Sequence, residues 1–247
     1  MRKTTILAIA ASALLAILCG YFVSTVSVAE RIPVQKRGNG HPVIIGTVCL
    51  DPGHPSEVSS GRVVQNGMTE LATNWSLAIR IKQILEANHV KVVMTKHNVD
   101  EFKTNAQRAA VSNSSNAGLL FRIHCDTGRG SGISFYYPDR ESSKNGIRGP
   151  SSAVRMESKK AAVVIHGGTL KALNGKLRDN GVLGESRTLV GRKQGALTGS
   201  IYSKTPVVLV EMVFLSNKTD AEFIKSESGK ELMDRSLSAG IIRYFQH

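Results

Sequence analysis

The segment PVVLVEMVF, residues 206–214, constrains the fold of this chain more than any other stretch. It is apolar throughout except for one acid, Glu211. A run of this kind is typical of a strand in a parallel sheet that is covered on both faces. Other apolar runs alternate with helical periods along the chain, which is the order found in α/β proteins. The sequence therefore predicts a single three-layer α/β domain, with a central, twisted, mostly parallel sheet of about six strands flanked by helices.

A long amphipathic helix is predicted over MTELATNWSLAIRIKQILEANHV, residues 68–90. Leu71, Trp75, Ala78, Ile81 and Leu85 recur there at the spacing of one helical face. The segment KTNAQRAAVSNSS predicts a shorter helix, and TDAEFIKSESGKELMDRSLSAGIIRYFQ predicts a broken helical finish. The remaining strands are predicted at VIIGTVCLD, VKVVMT, LLFRIHCD and SGISFYYP.

Residues 139–205 differ from the rest because they are rich in Ser, Gly, Lys and Arg. Residues 140–200 contain twelve basic and four acidic side chains, a net charge of +8. SSAVRMESKKAAVVIHGGTLKAL is compatible with a helix that Gly167 and Gly168 weaken, and NGVLGESRTLVGRKQGALTGS predicts a loop. The charge indicates either a solvated face or a basic rim beside a functional site.

The first residues have the layout of an export signal. Arg2 and Lys3 precede an apolar stretch at residues 6–18, and small residues lead to Ala29, after which cleavage is expected. The alternative is an uncleaved membrane anchor, since residues 6–29 carry no charge and a bilayer needs about 20 residues. Residues 1–29 are thus a signal peptide or anchor, 30–42 a linker, and 43–247 an extracytoplasmic domain. Cys49 and Cys125 remain in that domain, and their pairing stays open.

The net charge of +13 and pI near 9.9 predict attraction to polyanions. Residues 1–30 contribute Arg2, Lys3 and Glu30, so residues 31–247 keep +12 (13 − 1). Aromatic residues make up only 5% and do not alternate with the basic residues, which argues against a nucleic acid that would need stacking partners. Anionic lipid and anionic cell-wall polymer remain as partner classes.

Four polar residues stand at strand or helix ends or in apolar surroundings: His54, Glu70, His124 and Glu211. Ligands of α/β sheets gather beyond the carboxyl ends of the strands. Glu70 alone is explained by its place in a helical first turn, and a lone histidine is commonly structural. Glu211 needs a partner or cation, because a buried carboxylate otherwise costs several kcal/mol. Two histidines and a glutamate suit zinc, and a second carboxylate suits a general base, although the spacing alone does not establish a site.

Taken in order, several segments resemble the zinc-dependent N-acetylmuramoyl-L-alanine amidases of the amidase-3 family, over about residues 43–245. The resemblance implies a hydrolase that cleaves the amide between the muramoyl lactyl group and L-alanine of peptidoglycan. It also implies that His54, Glu70 and His124 bind Zn²⁺ and that Glu211 is the catalytic carboxylate. Peptidoglycan would be the partner, with membrane contact only through a retained N-terminal segment. The segments are VCLDPGHPSE, TELATNWSLAIRIKQIL, VVMTK, QRAAVSN, FRIHCD with SGISFYYP, and PVVLVEMVFLSNKTDAEFI.

The chain departs from the family pattern at two places and keeps all four proposed site residues. RIHCD stands where the family usually has SIHAN, which brings Arg122 and Asp126 beside the site, and Thr95-Lys96 replaces a common TR. Arg108 matches a family arginine and is expected to brace a helix or loop. Asp51 is expected to be structural or to orient an imidazole.

Two other functions are compatible with parts of the pattern. The first is a catalytically inactive wall-binding module of the same fold, although a binder has no need of Glu211. The second is a zinc peptidase acting on ordinary peptides, but its helical HExxH motif is absent from the sequence.

Overall fold

A computed structural model describes residues 45–247 of the 247-residue chain. The predictions of a signal peptide or anchor at residues 1–29 and a linker at 30–42 lie outside the described residues. Within residues 45–247, no helix is long and apolar enough to cross a membrane.

Ten strands and seven α-helices make up the described region, with one 3-10 turn at Glu185–Arg187. The strands are β1 (Gly46–Pro52), β2 (Val64–Gln65), β3 (Met68–Thr69), β4 (Val90–Met94), β5 (Leu119–Asp126), β6 (Ile133–Tyr137), β7 (Ser142–Lys144), β8 (Ile147–Gly149), β9 (Asp179–Gly184) and β10 (Val207–Phe214). The helices are α1 (Glu70–Ala87), α2 (Asn105–Ser114), α3 (Ser152–Leu173), α4 (Leu189–Gln194), α5 (Thr198–Ile201), α6 (Lys218–Lys225) and α7 (Glu227–Gln246).

The central sheet has six strands in the order β4-β1-β5-β10-β6-β9. Strands β4, β1, β5 and β10 are parallel, whereas β6 is antiparallel to β10 and β9 is parallel to β6. Strand β6 runs opposite to β5 because the link between them, residues 127–132, is shorter than the dozen or so residues that a parallel crossover needs. The predicted mostly parallel sheet is confirmed.

Helices cover both faces of this sheet and complete the three layers. α1 contacts β1, β4 and β5, α3 contacts β10 and β6, and α7 lies against both α1 and α3. On the other face, α2 contacts β1, β5 and the short helix α5. The α3–α7 contact depends on glycine, because a Cβ at Gly168 would lie 2.8 Å from the Cα of Gly240. Helix α3 runs without a break through Gly167 and Gly168, as a helix over residues 151–173 requires. Gly168 permits its close packing against α7.

Alternate residues of β5 and β10 serve different purposes. The main core receives one set, which is Phe121, Ile123, Cys125, Val208, Val210 and Met212. A cleft on the α2 and α5 side receives the other, which includes Arg122, His124, Leu209 and Glu211. Successive side chains of a strand point to opposite faces, so one strand can build both the core and the cleft. The glutamate within the apolar run faces this cleft.

The prediction of a loop over residues 180–200 is wrong. This segment contains the end of β9, the 3-10 turn, α4 and α5. One local and two longer-range hydrogen bonds stabilise these short elements. The Thr188 hydroxyl accepts the Gly191 N–H at the start of α4. The buried Glu185 carboxylate accepts from the Leu197 N–H (2.8 Å) and the Ser200 hydroxyl (2.6 Å). Burial raises the pKa of Glu185 to about 7. Elements of three to six residues are too short for periodicity to reveal.

The thiols of Cys49 and Cys125 are both free and buried. Cys125 belongs to the main core, whereas Cys49 belongs to a small cluster with Leu120 and Val207 on the other face. Burial raises the pKa of Cys49 to about 12 and that of Cys125 well above its usual value. Neither thiol is therefore a ready nucleophile or metal ligand at neutral pH.

Candidate metal and catalytic site

A tightly held turn after β1 presents His54. The Gly53 N–H donates to the Ile123 carbonyl at 2.9 Å, which ties the turn to β5. The Lys96 ammonium donates to the His54 carbonyl, and Arg108 donates to the carbonyls of Pro52 and Pro55 at 2.9 Å each. His54 itself has a φ of 65°, in the left-handed region that residues with a Cβ seldom adopt. The surrounding donors maintain this conformation at the mouth of the cleft.

Two glycines allow the imidazoles to approach the backbone. A Cβ at Gly53 would lie 2.3 Å from the ring of His124. A Cβ at Gly61, which has a φ of 67°, would lie 2.6 Å from the Cβ of His54. Any larger residue at either position would displace an imidazole from its place.

Glu70 is the first residue of α1 and lies between the two histidines. The Thr69 hydroxyl caps this helix by accepting the Ala72 N–H at 3.3 Å. One carboxylate oxygen of Glu70 lies 2.9 Å from His54 Nε2, and the other lies 2.9 Å from His124 Nδ1. The Cys125 backbone N–H also donates to this carboxylate, at 3.2 Å.

His54, Glu70 and His124 thus form a group that can hold a metal ion. Their potential ligand atoms all lie within 4.8 Å of one another, and His124 Nε2 is buried without a hydrogen-bond partner among the described residues. Burial lowers the pKa of His124. Burial alone would raise the pKa of Glu70, but hydrogen bonds from His124 and His54 hold it well below its usual value. Neutral imidazoles and an ionised carboxylate are the forms in which these groups bind metals.

Glu211 lies beside this group in the middle of β10. It pairs in register with His124 on β5 and with Ser134 on β6. Its Oε2 atom is buried and has no hydrogen-bond partner within residues 45–247. Burial, followed by the negative charges of Glu70 and Asp126, raises the pKa of Glu211 well above its usual value. A carboxylate held this way has an unmet demand for a proton or a cation.

A cleft of about 430 Å³ opens above these residues and is lined by His54, His124 and Glu211. Its lining also includes Arg187, Leu189 and Val190 from the 3-10 turn and α4, a segment that the sequence assigned to a loop. The Leu189 side chain is 80% exposed at this lip. The cleft therefore combines a polar floor with an apolar and basic lip.

Asp51 holds two arginines and makes no hydrogen bond to an imidazole within residues 45–247, so of its two expected roles the structural one is correct. Its fully buried carboxylate accepts from Arg108 Nη1 (2.6 Å), Arg122 Nε (3.0 Å) and the Thr95 hydroxyl (2.7 Å). Burial alone would raise the pKa of Asp51, but the two guanidinium groups hold it well below its usual value. Arg108 braces the turn after β1, as its expected role implies.

Asp51→Asn should lower the free energy of unfolding by about 3–5 kcal/mol at pH 7, because it leaves two buried guanidinium groups without their anion. Since folding depresses the pKa of Asp51, its stabilisation is present above the unfolded pKa of about 4 and is lost as the pH falls further. Urea unfolding at pH 7 and at pH 3 should therefore show a smaller difference between the two proteins at the lower pH. Thr95→Val, which removes one neutral donor, is the control and should cost about 1 kcal/mol. Equal stability of Asp51→Asn and the wild type at pH 7 would contradict this role.

Comparison with known families identifies the chain. Residues 48–243 match the family model Amidase_3, described as N-acetylmuramoyl-L-alanine amidase. The chain belongs to the amidase-3 family.

Relatives and solved structures agree with this membership. The N-acetylmuramoyl-L-alanine amidase LytC of Bacillus subtilis is 27% identical over 226 residues, which is 90% of this chain and 40% of LytC. The amidase-3 chain thus spans about 40% of the length of that relative. The amidase AmiC2 of Nostoc punctiforme has a TM-score of 0.65 at 21% identity (83% of this chain, 99% of AmiC2). Ami1 of Mycobacterium abscessus has a TM-score of 0.66 at 23% identity (81% and 98%). These structures establish the fold.

Sequence reasoning missed two parts of this amidase-3 site. The lip around Arg187 and Leu189 had no signal beyond a possible Thr188 cap. The Asp51–Arg122 pair had a signal in the alternation of LLFRIHCD, which places Arg122 and His124 on one face of a strand.

Proposed function

We propose that this chain is a zinc-dependent N-acetylmuramoyl-L-alanine amidase that hydrolyses the amide between the muramoyl lactyl group and the L-alanine of peptidoglycan. The observation that carries the proposal is the convergence of His54, Glu70 and His124 on one point, with Glu211 in register beside His124. Family membership and the name of the relative LytC support the same reaction.

The residues present fit a zinc ion. Two imidazoles and one carboxylate are the donor set of a catalytic zinc site with an open fourth position. The unpaired Nε2 of His124 and the unpaired Oε2 of Glu211 are buried polar atoms that such a site would explain. His54, Glu70 and His124 would hold the ion. The chemistry that zinc supplies at a site of this type is polarisation of a carbonyl and a lowering of the pKa of water towards about 7.

Glu211 is the proton carrier in the proposed reaction. It accepts the proton of the attacking water and then delivers that proton to the leaving amine of L-alanine. A cation held by Glu70 would offset one of the charges that raise the pKa of Glu211, which favours its ionised, basic form. This route requires no serine or cysteine nucleophile.

The cleft and the surface charge suit a polymer with negative groups. Arg122 and Arg187 both line the cleft, and the chain carries a net charge of +13. Such a field steers anionic partners and weakens as salt screens it. We further propose that residues 43–247 are an extracytoplasmic catalytic domain, preceded by a linker at 30–42 and a signal peptide or anchor at 1–29.

Mass analysis of digested cell walls tests the reaction. Purified peptidoglycan treated with the protein should release intact stem peptides that begin with L-alanine, together with glycan strands that keep an intact lactyl group. Fragments cut within the stem peptide would instead indicate a peptidase. Tight wall binding with no released peptide, from protein that contains stoichiometric zinc, would indicate an inactive binding module.

A further inference from the structure

Arg122 lies in the floor of the cleft, close to the proposed metal ligands but separate from them. It precedes His124 by two residues on β5 and therefore points to the same side of the sheet. Its side chain is only 6% exposed, and it lines the cleft. The roles proposed above use Arg122 only for its ion pair with Asp51 and for the general positive charge of the cleft.

The hydrogen bonds of Arg122 leave one nitrogen free. Nε donates to Asp51 at 3.0 Å and Nη2 donates to the Asn105 side-chain oxygen at 2.6 Å, while Nη1 has no hydrogen bond within the described region. Arg108, the other arginine on Asp51, differs because all three of its nitrogens are used, by Asp51 and three backbone carbonyls. Arg108 is therefore a structural brace, whereas Arg122 retains an open donor.

The carboxylate of Asp51 contacts two guanidinium groups, so neither arginine has an anion of its own. Glu211 lines the same cleft as Arg122 but makes no hydrogen bond to it among the described residues. Glu185, the nearby carboxyl of the lip segment, does not neutralise this arginine by contact, because its oxygens accept from Leu197 and Ser200. An incompletely paired buried cation is costly unless a further anion or water reaches it.

The guanidinium of Arg122 borders the open cleft, where an anion can reach it. Helix α5 packs closely against the guanidinium, because a Cβ at Gly199 would lie 3.2 Å from both Cζ and Nη1 of Arg122. Nη1 is therefore the part of the group that has no partner among the described residues. A planar guanidinium with an open N–H edge is suited to a carboxylate ligand.

We propose that Arg122 forms a subsite for a carboxylate of the substrate, namely the free α-carboxyl of the second residue of the stem peptide. This inference rests on the proposed amidase function. Arg122 and His124 are two residues apart on one strand, so their Cα atoms lie about 7 Å apart. Two residues of an extended peptide also span about 7 Å, which is the distance from the scissile amide to the α-carboxyl of the second residue. Amidation of this α-carboxyl removes its negative charge and would therefore remove its ion pair with Arg122.

The test compares two substrates that differ at one group. These are N-acetylmuramoyl-L-alanyl-γ-D-glutamyl-L-lysine and the same compound with the α-carboxyl of the glutamyl residue amidated. The wild type should prefer the free acid by about tenfold or more in kcat/KM, as expected for one charge-assisted contact. Arg122→Gln should reduce this ratio to about one, chiefly by slowing hydrolysis of the free acid. An unchanged ratio in a folded Arg122→Gln protein would overturn the subsite.

Two further variants separate a specific contact from general charge and from misfolding. Arg187→Gln removes the same charge from an exposed position of the same cleft and should keep the preference; if it removes the preference as fully as Arg122→Gln, the subsite is overturned. Gly199→Ala keeps the charge of Arg122 but places a Cβ 3.2 Å from Cζ and Nη1, so the guanidinium must shift and the ratio should fall. If Arg122→Gln does not fold, an unchanged ratio in Gly199→Ala overturns the subsite.

Binding measurements keep this inference distinct from the proposed function. Calorimetry with the two free tripeptides requires no hydrolysis and should show tighter binding of the acid to the wild type only. If neither muramoyl substrate is hydrolysed but this binding difference is present, the amidase function fails and the carboxylate subsite stands. If hydrolysis occurs and the acid and amide bind and react equally, the subsite fails and the amidase function stands.

Discussion

Glu211→Gln should lower kcat/KM on peptidoglycan by about 10³-fold or more while the protein still binds zinc. The carboxamide keeps the size of the side chain but cannot take a proton from water or return it to the amine, and a general acid–base group contributes about 10²–10⁴-fold. Metal content by atomic absorption and release of stem peptides by mass analysis measure the two properties separately. Near wild-type activity of Glu211→Gln would contradict the role of this residue.

Asp126→Asn is the matched control, because it removes a second carboxylate that lines the same cleft. This change should cost far less activity, since Asp126 lies at the end of β5 and its carboxylate accepts only the Thr127 N–H in the described structure. Equal losses in the two variants would mean that the net charge of the cleft, and not a proton carrier, determines the rate.

Glu211→Gln should also change stability in the opposite direction to activity. Folding raises the pKa of Glu211, so the ionised group destabilises the metal-free protein when the pH exceeds its usual value. An amide avoids this desolvation cost. The metal-free variant should therefore unfold at a higher temperature than the metal-free wild type above about pH 5.

Removal of the metal should abolish activity, and replacement of any one ligand should have the same effect. Chelation should reduce hydrolysis to background, a loss of about 10³-fold or more, and added Zn²⁺ should restore it. His54→Ala, Glu70→Ala and His124→Ala should each lose both bound zinc and turnover, since two remaining ligands hold the ion poorly. Full activity in protein shown to be free of metal would refute the metal site.

His166→Ala is the control for removal of a histidine. His166 lies on α3, where it pairs with Asp179 at 2.8 Å and packs edge-on against Phe135 of β6. This variant should keep its zinc and its turnover. Loss of zinc from His166→Ala together with retention by His54→Ala would place the metal elsewhere.

The residues that converge in the structure were identifiable from sequence because each occupies a predictable end or an improbable environment. His54 follows a strand, Glu70 begins a helix, and Glu211 interrupts an apolar run. Their role as a set came from the ordered resemblance to a family, since residues so far apart along the chain have no local spacing. The α/β order likewise followed from long periodic segments, which are the most reliable signals in a sequence.

The parts that sequence did not predict depend on contacts between distant residues. The elements at residues 185–201 depend on Glu185, whose partners Leu197 and Ser200 lie 12 and 15 residues away along the chain. Asp51 could be expected to be buried, but its choice of two arginines over an imidazole depends on the packing of α2 against β1. The burial and pairing of charged side chains depend on the folded molecule, and the residues adjacent in sequence predict them only weakly.

The alternation along β5 and β10 separates what keeps this molecule folded from what it does. Phe121, Ile123, Val208 and Val210 face the core, and each is adjacent in the chain to a residue of the cleft. Volume-conserving exchanges at these four positions can therefore adjust thermal tolerance without touching the reaction. Inserting or deleting one residue within either strand would turn the core residues towards the cleft and the cleft residues towards the core. Substitutions at the core positions are therefore tolerated more readily than a change in the length of either strand.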